Sequence, residues 1–356
     1  MSDPMRLSRR YSTMVVATIS LIVLTCVAYL VPVPYVTMRP GPAFDTLGSF
    51  DGQKMFTFGD DVKTYPTSGS LDFTTVSVTR ADTRLRLTDA LRAYLDRDVA
   101  VVPKSLVYPD NQTAKQSTAV SAAQLDSSKD ASRVAALRAA GYTVTGRPQV
   151  AALTPGGAAE KVLEAGDVVT AVDGAEVSSS EDAVAAIGAK TPGESVAVTV
   201  ERKGKARTFD IVTRPDADDP KLPRIGVSLG TKYAYPFRID NNVGREIGGP
   251  SAGTMFALAI YDKLTPGELT GGRKIAGTGE ISADGVVGAI GGIRQKMRGA
   301  ADAGASIFLV PQANCSEATD GDDDGLKLVK ITQLADAISS LEALADDPDA
   351  KVPACS

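Results

Sequence analysis

Residues 248–264 read GGPSAGTMFALAIYDKL, and residues 276–296 read AGTGEISADGVVGAIGGIRQK. Gly248-Gly249-Pro250-Ser251-Ala252-Gly253 is a turn, and 254–264 is apolar enough for a buried helix, so Ser251 stands where a glycine-rich turn enters a helix N-terminus. Such a place has free backbone N–H groups and positive partial charge. Gly248, Gly249, Ser251 and Ala252 are therefore candidates for a turn that could hold the oxyanion of a tetrahedral intermediate. The turn alone is weak evidence, because serine is also an ordinary N-cap. The segments downstream of the turn strengthen it. Residues 274–281 read as a strand, 283–285 as a turn, 286–290 as a returning strand, and Gly291-Gly292 opens a helix with Lys296 near its first turn. A core strand at 306–311 and a last helix at 334–344 complete an α/β alternation.

The chain contains no histidine, so it cannot build a Ser-His-Asp or Cys-His site from its own residues. Ser251 is read as a nucleophile and Lys296 as its base. A lysine with the usual pKa of about 10.4 is neutral only about one time in two thousand near pH 7. Its amine must be desolvated to act as a base, and Ile293, Met297 and residues 255–260 offer an apolar surround. With 356 residues, 43% of them hydrophobic, two or three domains are expected. A net charge of −5 gives no basic footprint for nucleic acid. Without histidine and with three cysteines a zinc site is implausible. Asp320-Gly-Asp-Asp-Asp-Gly325 imitates the start of a calcium loop, but its twelfth position is Ile331 rather than glutamate, so it reads as a solvated loop. No cofactor and no metal are expected.

Residues 13–34 carry no charge and match the roughly 20 residues needed to cross a bilayer. Arg6, Arg9 and Arg10 precede this stretch and Arg39 is the only nearby base after it. The positive-inside rule then puts residues 1–12 in the cytoplasm and everything after the span outside the membrane. A cleaved signal peptide is the alternative, but no clear small-x-small site precedes the prolines. Outside the cytoplasm, Cys315 and Cys355 are natural disulfide partners, while Cys26 lies in the apolar run. Residues 35–140 read as an extracytoplasmic region with strands at 54–58 and 71–78, an amphipathic piece at 87–94, and a polar helical arm or linker at 105–140.

Between 141 and 215 the pattern changes to short strands and tight turns. Pro155-Gly-Gly-Ala-Ala, Leu163-Glu-Ala-Gly166-Asp167, Val172-Asp173-Gly174 and Pro192-Gly193 resemble a PDZ domain of bacterial envelope proteases. The resemblance implies an open strand edge and a loop that captures a peptide carboxylate, for which Gly141, Tyr142, Thr143 and Val144 are the candidates. The alternative is a small β-domain that only spaces the next domain from the membrane.

Residues 224–347 resemble the proteolytic domain of the Lon family, with a tail at 348–356. Pro250-Ser251-Ala252-Gly253 matches that family's serine turn, Gly291-Gly292-Ile293-Arg294-Gln295-Lys296 its lysine motif, and Thr278-Gly279-Glu280 its TGE triplet. The resemblance implies a Ser251–Lys296 dyad, with Thr278 orienting the lysine, acting on polypeptide. It also implies assembly into a hexameric ring. Where many Lon proteases carry an acidic residue before the turn, this chain has Gly248. The sequence contains no G-x-x-x-x-G-K-[ST] phosphate loop, so proteolysis without ATP is expected. The fold class expected is a mixed α/β and α+β multidomain chain: a transmembrane helix, a β-rich and helical N-terminal region, a PDZ-like domain and a Lon-type proteolytic domain. A rival function is a PDZ adaptor or sensor whose protease-like domain has lost activity.

Overall fold

The computed structural model describes residues 9–109, 112–244 and 246–355. Of the expected cytoplasmic segment 1–12, residues 1–8 lie outside the described residues. The chain divides into two compact units, one formed by Met1–Gly141 with Ile239–Ser356 and the other by Tyr142–Arg238.

The first unit begins with helix α1 (Arg9–Leu30), apolar around its circumference and long enough, at about 33 Å, to cross a membrane. It ends earlier than the expected 34, because Pro32 and Pro34 cannot supply helical N–H groups and disfavour helix in the residues before them. Strand β1 (Tyr35–Asp45), strand β2 (Ser70–Val78), helix α2 (Leu87–Leu95), strand β3 (Ala100–Pro103) and helix α3 (Ala114–Ala139) come next. A Thr113–Gln116 capping box starts α3.

In the second unit β4 (Thr145–Leu153), β5 (Val168–Val172), helix α4 (Ser180–Gly188), β6 (Ser195–Arg202), β7 (Lys205–Val212) and β8 (Val227–Ala234) form an antiparallel sheet ordered β7-β6-β5-β4-β8. Val150, Val172, Ala183, Val198 and Ile225 share its core. Strand β8 pairs with β4 from Val227↔Leu153 to Ala234↔Thr145. The expected boundary, which put residues 224–238 in the proteolytic domain, is thereby corrected. Without β8, strand β4 would be an unpaired edge and Ile225 would be missing from the core.

The chain then returns to the first unit through helix α5 (Gly253–Leu264), β9 (Lys274–Gly277), helix α6 (Ile293–Asp302), β10 (Ile307–Pro311), β11 (Lys327–Ile331) and helix α7 (Leu334–Asp346). One sheet of order β11-β10-β9-β2-β1-β3 joins the two parts, parallel from β11 to β2 and antiparallel beyond. Residues 35–140 are therefore not a separate region, since they supply half of the sheet. Strand β2 sits at its centre, which is why Ser70 to Thr74 are all buried instead of alternating. Helix α3, expected as an arm or linker, packs along α5. The tail is held too. Ala354 bridges to Val329, and Cys355 is disulfide-bonded to Cys315.

Candidate active site

Helix α5 is deeply enclosed, with every residue from Met255 to Ile260 fully buried. The sheet covers it through Phe73, whose ring meets Phe256 edge-on at 5.4 Å, and α3 lies alongside. The turn before it needs two of its glycines for different reasons. Gly249 takes a left-handed φ of +85°. A Cβ on Gly253 would lie 2.6 Å from Ser128 Oγ and 2.8 Å from Ile281 Cγ2, so only glycine lets α3 and the 279–281 segment close on the helix start.

Three contacts hold Ser251 in place from behind. Ser128 Oγ donates to the Pro250 carbonyl at 2.9 Å. The Thr278 hydroxyl donates to the Ser251 carbonyl at 3.0 Å, and the Gly279 N–H reaches the same oxygen at 2.9 Å. Thr278 thus anchors the serine backbone, whereas the resemblance implied that it orients the lysine. The N–H of Gly249 is taken by the Ser121 carbonyl at 2.9 Å, which removes it from the candidate oxyanion donors. Among the described residues the N–H groups of Ser251 and Ala252 have no acceptor. Gly248 also packs on α3: a Cβ there would stand 2.9 Å from the Ser121 Cβ. The departure from an acidic residue at 248 is explained by that close approach.

Lys296 lies in the first turn of α6, after Gly292 at a left-handed φ of +71°. The helix packs across β1 and β2, and the would-be Cβ of Gly299 is 2.6 Å from the Gly41 carbonyl oxygen. Lys296 is only 3% exposed. Its Nζ is 3.1 Å from Ser251 Oγ and 2.5 Å from the Thr74 carbonyl oxygen. Burial alone lowers its pKa from 10.5 to about 7. A shift of that size corresponds to about 5 kcal/mol of lost charge stabilisation. The pair has the parts of a nucleophile and its base: a hydroxyl in hydrogen-bond reach of an amine that gives up its proton near neutrality.

Thr74, Ser121 and Ser128 were not legible as site residues. Thr74 acts through its carbonyl, which carries no side-chain signature. Ser121 and Ser128 are two among many small polar residues of α3, although their spacing of seven puts them on one helix face.

In the second unit a cavity of about 950 Å³ lies between α4 and β8. Val184 and Ile187 line it from the helix, and Ile225, Gly226 and Val227 from the strand and its preceding turn. Among the described residues the far edge of β8 pairs with no other strand of its sheet. Gly226 has a φ of +78°, and a Cβ there would meet Gly157 Cα at 2.8 Å, so the turn depends on this residue. The expected carboxylate loop is corrected: Gly141, Tyr142, Thr143 and Val144 do not line this cavity. Gly141 closes the end of α3 by donating to the Arg138 carbonyl, Tyr142 packs edge-on against Phe237 at 5.1 Å, and Val144 is buried.

The two units carry a groove beside an edge strand and a serine within reach of a buried lysine, and comparison with known proteins matches both regions. Residues 124–213 match the model of the PDZ domain, and residues 245–342 that of the Lon protease (S16) C-terminal proteolytic domain. The chain thus carries a PDZ domain and a serine-protease domain of the Lon type. Similar curated proteins include a Lon protease of Mesomycoplasma hyopneumoniae, 46% identical over 66 residues, covering 18% of this chain and 7% of the relative. Lon protease 2 of Bacillus subtilis is 29% identical over 127 residues, covering 35% of this chain and 22% of the relative. The chain spans less than a quarter of the length of either relative. Among solved structures, the PDZ domain of an SdrC-like protein from Listeria monocytogenes is 28% identical, with a TM-score of 0.22, covering 23% of this chain and 86% of that one.

Proposed function

We propose that the chain is a membrane-anchored serine endopeptidase that cleaves unfolded or flexible polypeptide outside the cytoplasmic membrane without ATP. The observation that carries this reading is the 3.1 Å approach of Ser251 Oγ to the buried Lys296 amine. Neutral Lys296 accepts the Ser251 proton as Oγ bonds to the scissile carbonyl carbon, and the N–H groups of Ser251 and Ala252 receive the oxyanion. The resulting ammonium, held by the Thr74 carbonyl, returns the proton to the leaving amine as the peptide C–N bond breaks. In the second half, Lys296 takes a proton from water, the water oxygen attacks the acyl ester, and Ser251 leaves with the proton from the lysine.

Three features support the location and mode of action. Helix α1 has the length and apolarity of a membrane span. The Cys315–Cys355 bridge suits an oxidising compartment. The 356 residues contain no phosphate-loop sequence. The groove between α4 and β8 is suited to adding a peptide terminus as a strand, and would present substrate. Ring assembly remains an expectation from the resemblance, tested by the mass of the detergent-solubilised particle.

The test is cleavage of an unfolded protein by the full chain in detergent, with and without ATP, beside Ser251→Ala and Lys296→Ala. Each substitution is expected to reduce kcat by about 10³-fold or more. Equal cleavage by all three proteins would refute the dyad, whereas no cleavage by any of them would favour a binding protein with a silent protease domain.

A further inference from the structure

The nine-residue helix α2 is turned the opposite way from an ordinary amphipathic surface helix. Its small residues Ala90 and Ala93 face the protein, while its large ones face outward. Leu87 is 42% exposed, Leu91 58%, and Tyr94 and Leu95 each 76%. The spacing i, i+4, i+7, i+8 gathers the four on one face. Single exposed leucines are commonplace, but four large apolar side chains on nine residues make a contiguous patch that calls for a cover.

The patch is fixed to the end of α1. Residues Pro32 and Val33 pair with Arg86 and Leu85, directly before α2. The Leu87 N–H donates to the Val31 carbonyl at 3.2 Å, and the Arg86 guanidinium lies over the Tyr29 ring at 5.7 Å from its centroid. From the other side, the Lys104 N–H donates to the Pro34 carbonyl at 2.9 Å, which brings Leu106, itself largely exposed, to the same end of the unit. Arg84 and Arg86 precede the helix and Arg92 stands within it, all three exposed, while the helical period sets Asp89 on the side away from the four apolar residues.

We infer that α2 is an interfacial helix that lies on the bilayer at the exit of α1, with Leu87, Leu91, Tyr94 and Leu95 dipped into the boundary between headgroups and acyl chains. The occupant is lipid because the patch adjoins the end of the apolar helix: Leu87 is hydrogen-bonded to Val31, the residue that follows Leu30 at the end of α1. A helix with an apolar face and flanking arginines binds such a boundary. A single span leaves its domain free to swivel; a second contact restricts how the proteolytic unit stands on the membrane. The inference rests on the reading of α1 as a membrane span, and its test separates the two.

The chain contains no tryptophan, so one introduced indole is a unique reporter. Full-length Tyr94→Trp and, separately, Leu21→Trp in α1 are reconstituted in vesicles of phosphatidylcholine with phosphatidylglycerol, with and without brominated acyl chains. Docking predicts blue-shifted emission and loss of about half the intensity at both positions in brominated lipid. Quenching at 21 but not at 94 overturns the docking and leaves the anchor standing. Blue-shifted but unquenched emission at 94 means that a second copy or another protein covers the face, which also overturns it. Absence of quenching at both removes anchor and docking together. Leu91→Glu in the Tyr94→Trp background is expected to abolish quenching at 94, while Leu91→Glu with Leu21→Trp remains quenched.

Discussion

Nζ of Lys296 lies 2.5 Å from the carbonyl oxygen of Thr74, a residue 222 positions earlier in the chain. Thr74 directly succeeds Phe73, where the parallel pairing of β2 with β9 ends opposite Gly277. The base of the proposed dyad is therefore seated on the N-terminal part of the chain, while its nucleophile comes from the C-terminal part. Both depend on the sheet that joins them.

The burial of Lys296 sets a pH profile. Its pKa of about 7 means that the active, neutral amine accumulates as pH rises through 7. The kcat/KM of the full chain is expected to climb about tenfold per pH unit below 7 and to level off above it. A plateau already reached at pH 5 would show that another group supplies the base.

The same burial has a thermodynamic consequence. The folded pKa lies below the 10.5 of the free side chain, so between about 7 and 10.5 the unfolded chain binds more protons and stability rises with pH. Below pH 7 the penalty is present in full. Lys296→Met is expected to raise the Tm at pH 6, by an amount bounded by about 5 kcal/mol, with a gain that shrinks toward pH 10. Thermal unfolding of both proteins across this range reads the effect. A gain independent of pH would mean that desolvation of the amine is not its source.

Gly248 and Ser121 should behave as a coupled pair. Gly248→Ala forces its Cβ to within 2.9 Å of Ser121 Cβ and moves the turn that carries Ser251. A fall of about tenfold in kcat/KM is expected, and adding Ser121→Gly, which keeps the carbonyl that holds Gly249, should recover most of it. Independent, additive effects in this cycle would place the strain elsewhere.

The Cys315–Cys355 bridge closes a separation of 40 residues and ties the tail beside β11. In the chain-entropy model a loop of that size contributes about 4 kcal/mol. Cys355→Ser, or reduction of the native chain, is expected to lower the denaturation midpoint accordingly in urea. Native protein that yields both cysteines as free thiols in non-reducing mass spectrometry would contradict the bridge and the oxidising location with it.

In the second unit, Val184 is half exposed and faces the groove. Val184→Glu is expected to weaken binding of peptides with a free C-terminus at least tenfold, with stability changed by less than about 0.5 kcal/mol. Thr143→Ala, outside the groove, should bind as the parent does. Titration by fluorescence anisotropy distinguishes the two positions.

Ser251, Lys296 and Thr278, the residues of the proposed site, stood out because a serine in a glycine-rich turn, a lysine behind a glycine pair and a TGE triplet are local patterns. The long apolar helix α1 was legible because a stretch of that length without charge stands out in the sequence. The tertiary structure alone decided which strands share a sheet, since pairing partners far apart in sequence leave no periodicity to read. It put β8 with the second unit, let residues 35–140 supply half of the sheet of the first unit, and set a polar helix against the turn that carries Ser251. The depressed pKa of Lys296 belongs to the same class: the sequence required a desolvated amine, and only packing of α6 across β1 and β2 could remove the water.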